Sequence, residues 1–230
     1  MDSGSLDGAT FRYPRIIQDI CDLSWSTLDE GCVVDAAWGY YFFSVQFQEN
    51  LDIARKLYPD DPKLQDLERA ESNTDNLSPW PGVAAAGERM NHCEFMRRVL
   101  SLMPLPDAKR RRFEENGEHY LRAIRKLDPL RRALSIASYE DGGLERVFGA
   151  MLRSLPSDHP VVGGFRYFLF THIEFDSDPS QGHGALTRHL RPDDRVLPLW
   201  THFRDLLVAF VPSLVAPSTQ SSAQNAADAA

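Results

Sequence analysis

Cysteine is scarce in this chain. Cys21, Cys32 and Cys93 are an odd number at wide spacing, and no CxxC occurs. That argues against a disulfide framework and a thiolate zinc site, and it suits a reducing compartment. Long apolar runs are also missing: no stretch approaches ~18 uninterrupted apolar residues, so no membrane span is expected. The opening residues "MDSGSLDGATFRYP" lack the basic and apolar regions of a signal peptide, and a cytoplasmic protein is the expectation. Basic excess is absent as well. The formal net charge is −8, which speaks against nucleic acid as the main partner. The one basic run, Lys109 to Arg112, is followed by Glu114, Glu115 and Glu118 and reads as a solvated helix start. Strand alternation, glycine-paired hairpins and internal repeats are not evident.

What remains is helical. With 43% apolar and 25% charged residues among 230, the chain can bury a full core. Apolar spacing predicts helices over residues 13–28, 33–57, 62–72, 83–102, 107–126, 130–154, 159–176 and 193–211. The breaks between them are rich in proline, and "NTDNLSPWPG" reads as a loop. The expected organisation is a flexible N-terminus (1–12), one all-α domain (13–215) and a disordered polar tail (216–230). Aromatic residues in the second helix recur at helical spacing and read as core.

One stretch stands out. "THIEFDSDPSQGHGALTRH", residues 171–189, holds three histidines and three carboxylates directly after the apolar "FRYFLF". On a helix His172 and Asp176 lie about 40° apart on one face. His183 is separated from them by a proline and a glycine, so a distorted segment must deliver it. Leaving such groups unpaired in an apolar setting costs several kcal/mol, so a metal or a salt-bridge network is needed. Two further clusters add to this. In "GERMNHCEF", Glu88 and His92 are four apart, and in "IASYEDGG" Glu140 follows the apolar pattern Leu134, Ile136, Ala137. Singly, Glu88 and His92 read equally well as an exposed i,i+4 pair, and Glu140 as a cap on the turn at Gly142 and Gly143. Together the three segments offer imidazoles and carboxylates in the mixture suited to a pair of iron or manganese ions in a helical core.

The series "GERMNH", "YE" and "HIEFD…GH" resembles the ligand order of the haem-oxygenase-like di-iron oxidases and oxygenases, over roughly residues 30–212. Their helical fold is shared with thiaminase II and pyrroloquinoline-quinone synthase. The resemblance implies a single haem-oxygenase-like bundle of about seven helices. It also implies catalytic metal-ligand roles for Glu88, His92, Glu140, His172, Asp176 and His183. The sequence departs from the family in the gap between Asp176 and His183, where "SDPSQG" stands in place of the usual two residues. "ESNTDNLSPWPG" matches a family-specific loop lying over the site.

The resemblance further implies two Fe(II) ions, with manganese as the alternative, dioxygen as co-substrate and an external reductant or electron donor. The implied substrate is a small amine or amino acid of specialised metabolism, oxidised at or next to nitrogen by N-oxygenation or nitrile-type chemistry. Arg89 or Arg166 would meet a substrate carboxylate, unless both are surface or structural residues. Nucleic acid and membrane are not expected partners, and a homodimer is allowed for. Other outcomes stay open at this level: a desaturase or C–C lyase, a metal-free thiaminase II-like relative, or a non-catalytic helical interaction protein.

Overall fold

A computed structural model describes residues 11–154, 156–176 and 187–215; of Asp176 and Arg188 it describes the backbone alone. Nine α-helices occur among the described residues: α1 (Tyr13–Cys21), α2 (Glu30–Leu57), α3 (Pro62–Ser72), α4 (His92–Ser101), α5 (Asp107–Arg125), α6 (Pro129–Glu140), α7 (Gly143–Met151), α8 (Pro160–Asp176) and α9 (Leu197–Phe210). Short 3-10 turns link several of them. Two isolated bridges are the β-type pairings among the described residues. The fold is all-α, and no described helix is long and apolar enough to cross a membrane.

Helix starts follow local chemistry. Asp61 and Asp128 each stand before a proline, where the carboxylate accepts hydrogen bonds from the first-turn amides, Lys63 and Leu64 in one case and Leu130 and Arg131 in the other. Proline at the following position has no amide hydrogen to lose. Asp29 caps α2 by accepting from the Cys32 amide at 2.7 Å.

Three expected helices are cut differently. The 13–28 segment ends at Cys21 and resumes only as a 3-10 turn at Trp25–Thr27. The 130–154 segment divides into α6 and α7 because Gly142 takes φ 82°, a left-handed conformation that interrupts the helical ladder. The 83–102 segment becomes helical only at His92, where the Asn91 side chain accepts from the Glu94 amide at 2.6 Å. Residues before Asn91 form a loop, with Gly87 at φ 73°.

Helix α2 is the common partner of the bundle, in contact with α3, α4, α5, α6, α8 and α9. It is buried on nearly every side, through Val33, Ala37, Tyr40, Phe43, Phe47, Leu51 and Ala54 among others, as a helix must be at the centre of a domain. Its interior polar residues are bonded across the seam with α5 and α6. Asn50 donates to Ser135 at 2.9 Å and accepts from the buried Arg132 at 2.7 Å. Gln46 accepts from the Tyr120 hydroxyl at 2.8 Å.

Close approach of α5 to α2 depends on Gly117, where an added Cβ would meet the Phe42 ring at 2.3 Å. Phe42 is itself held against Phe210. Gly117→Ala is therefore expected to lower stability by about 1–3 kcal/mol through overpacking. Gly149, on the exposed side of α7, has nothing within 4 Å of an added Cβ. Gly149→Ala should raise stability by about 0.5–1 kcal/mol. Urea titration of the two variants checks both signs.

Candidate metal centre

The chain brings two carboxylates and two imidazoles from four helices to one small cavity. Glu71 comes from the last turn of α3, His92 from the first residue of α4, Glu140 from the last residue of α6, and His172 from the interior of α8. Their exposures are 3%, 7%, 7% and 8%, so none is in bulk water. The cavity holds about 20 Å³, enough for one water molecule or one ion. Tyr40, Phe148 and Phe168 form its apolar side. Phe168 lies against both imidazoles, at centroid distances of 5.7 Å to His92 and 4.1 Å to His172.

Hydrogen bonding sets the chemistry of the two rings. His172 Nδ1 is 2.7 Å from the Phe168 carbonyl oxygen. A carbonyl only accepts, so Nδ1 carries the proton and Nε2 presents its lone pair. This is the tautomer a metal-binding histidine takes, with the non-ligating nitrogen anchored to a backbone oxygen. His172 Nε2 is 3.0 Å from His92 Nδ1, which is also 2.5 Å from Glu71 Oε2. His92 Nδ1 then donates its proton to His172 Nε2, with the Glu71 carboxylate oxygen at ion-pair distance from the same nitrogen. A cation replacing that proton would meet one carboxylate oxygen and two imidazole nitrogens. One donor atom from each of Glu71, His92 and His172 lies within 4.8 Å of the other two. Ligands bound at ~2.1 Å and at right angles stand ~3 Å apart, so only small side-chain shifts separate this arrangement from coordination.

Electrostatics point the same way. Glu71 and Glu140 sit in the last turns of α3 and α6, and Asp176 is the last residue of α8. Helix C-termini carry a partial negative charge, so the Glu71 and Glu140 carboxylates placed there raise the negative potential rather than relieve it. A bound cation reverses the sign of that balance. Two imidazoles and a carboxylate form a donor set that zinc, iron and manganese all accept.

The six residues expected as ligands are thus placed unequally. His92, Glu140 and His172 are brought together. Asp176 follows His172 by one turn of α8, and His183 lies outside the described residues. Glu88 requires a correction: it precedes α4 instead of sharing its face with His92. Its Oε1 pairs with Arg98 at 2.6 Å and its Oε2 accepts from the Ala85 amide at 2.9 Å. Arg89 is exposed in the same loop. Arg166 donates to the Leu152 and Ser154 carbonyls at 3.1 and 2.8 Å, closing the end of α7.

Glu71 was not among the sequence candidates, yet it carried a signal. Leu64, Leu67 and Glu71 share the buried stripe of α3, so a carboxylate continues an apolar i, i+3, i+7 series. Its partner His92 is twenty-one positions away (92 − 71), across a loop that no helical spacing rule bridges. The loop is tied at its base, where the Thr74 and Met90 amides and carbonyls pair at 3.2 and 2.9 Å. It lies on α8 through Trp80, stacked on Tyr167 at 4.4 Å. Arg98 fastens it to α4 by donating to the Val83 carbonyl at 2.9 Å while pairing with Glu88 and Glu94.

These pairs predict an acid limb. Hydrogen bonding from Arg97, joined by Arg98, holds the Glu94 carboxyl at about 2, below its ordinary 4.5, and Glu88 is lowered by the Ala85 amide and then by Arg98. A lowered carboxyl contributes stability above its unfolded value and loses it as pH falls through the folded one. Melting temperature should therefore fall between pH 4.5 and about 2. Arg98→Ala should flatten this limb and speed amide exchange at Val83 and Met90, as hydrogen-exchange mass spectrometry would show.

In comparisons with protein-family models, with curated proteins and with solved structures, nothing matches this chain.

Proposed function

We propose that this protein is a non-haem metal-dependent oxidoreductase that uses dioxygen to oxidise a small amine or amino acid. The observation that carries this reading is the buried convergence of Glu71, His92 and His172, with Glu140 lining the same cavity. In chain order these donors and Asp176 run Glu, His, Glu, His, Asp. That is the order expected of a haem-oxygenase-like di-iron bundle, with Glu71 standing where Glu88 was anticipated. In this reading Glu71, His92 and His172 hold one ferrous ion, and Glu140 and Asp176 contribute to a second. Such ions supply the electrons and binding positions for reducing dioxygen. The chain's own contribution is to fix the His172 tautomer through Phe168, to offset cationic charge with buried carboxylates and to keep water out with Tyr40, Phe148 and Phe168.

A second reading is a single iron held by two imidazoles and one carboxylate with open positions. It is favoured by the cavity, whose 20 Å³ suits one ion.

Anaerobic titration with ferrous iron, followed by oxygen, separates these possibilities. About two irons per chain and a transient visible band support the di-iron reading, and about one supports the mononuclear reading. Glu71→Ala, His92→Ala and His172→Ala should each weaken iron binding by about 10–100-fold, whereas Glu88→Gln should leave it unchanged. A wild-type chain that takes up no iron defeats both readings.

A further inference from the structure

The metal cavity has no room for an organic reactant, which calls for a larger chamber beside it. One lies between α2, α4 and α5, with a volume of about 500 Å³, well within the range of small-molecule sites. It follows the same α2–α4 seam as the metal cavity. On α4, Cys93 lines the metal cavity and Arg97 lines the cleft, one helical turn or ~6 Å apart. On α2, Ser44 lines the first and Tyr41 the second. These two α2 residues are joined directly, the Ser44 hydroxyl donating to the Tyr41 carbonyl at 2.7 Å.

The lining has two characters. Its floor is apolar and aromatic, from Trp38, Tyr41, Phe42 and Leu100. The indole Nε1 of Trp38 is buried without a hydrogen-bond partner among the described residues, so it meets no occupant directly and senses one only through the ring. Its rim carries both signs, with Arg97 and Arg110 facing Glu114 and Glu118. Arg97 is held by the Glu94 carboxylate, whereas Arg110 is engaged in exposed pairs with Asp107 and Glu114, which exchange partners at little cost. An apolar floor beneath a rim of both charges complements an amphipathic zwitterion.

We propose that this cleft is the substrate chamber, and that its occupant is an α-amino acid with a large apolar side chain. The side chain rests on Trp38, Tyr41 and Phe42, the carboxylate meets Arg110, and the ammonium meets Glu118. Assignment of the chamber to the metal centre rests on the oxidoreductase reading; occupancy of the cleft does not.

The test titrates L-phenylalanine, 2-phenylethylamine and 3-phenylpropanoate into the full chain, with and without ferrous iron, by calorimetry and by following the Trp38 indole N–H resonance. L-Phenylalanine should bind saturably and shift that resonance, and each single-charge probe should bind about tenfold more weakly. Glu118→Gln should weaken the two amines and spare the acid. Leu105→Trp, at the half-buried mouth of the cleft, should abolish binding without changing the melting temperature. No saturable binding up to ~10 mM, equal affinity for all three probes, or unchanged binding in Leu105→Trp overturns the proposal. Iron uptake without L-phenylalanine binding overturns the chamber alone. L-Phenylalanine binding by a chain that takes no iron overturns the metal reading and keeps the cleft as an amino-acid site.

Discussion

Burial of α2 on nearly every side is the constraint from which the other arrangements follow. A helix enclosed by six others can present its flanks only as walls shared with them. One flank, with Tyr40 and Ser44, closes the metal cavity, and another, with Trp38 and Tyr41, floors the cleft. The energetics favour this division. Burying Tyr40, Phe42, Phe43 and Phe47 contributes on the order of 6–12 kcal/mol before entropy is counted. Keeping one buried ion from water costs several kcal/mol. Aromatic packing on α2 is therefore large enough to offset a cluster of charged groups at its side.

That cluster is held more by backbone than by side-chain length. Glu71, His92 and Glu140 all lie at helix ends, where the chain direction changes and neighbouring segments can converge. His172 alone projects from within a helix, and its ring is fixed by the Phe168 carbonyl one turn earlier. Anchoring of this kind reduces the entropy lost when a cation arrives, because the ring already faces its target. Glu71 and Glu140, both at negative helix ends, give the site a standing preference for positive charge that no single ion pair would supply.

Much of this was legible in the amino-acid order, and the limits are instructive. The span 62–72 coincides with α3, since Asp61-Pro62 marks its start. The His172–Asp176 register on α8 is intrinsic to helical repeat. Glu140 was visible because it continued an apolar series. Glu88 misled because spacing of four implies a shared face only if a helix exists there, and Gly87 together with the Asn91 cap delays α4 to His92. Glu71 escaped because its meeting with His92 depends on a hydrogen-bonded loop base, a tertiary event with no local period. Division of 130–154 at Gly142 was likewise a matter of one left-handed residue.

The Thr74–Met90 pairing has a consequence for how this protein can vary. With the two strands of chain joined there, the separation of Glu71 from His92 is settled before residues 75–89 are reached. Insertions, deletions or exchanges within that span alter what covers α8 from outside, while the paired donors beneath keep their spacing. The covering over α8 and the donor spacing beneath it are thus set by separate parts of the chain.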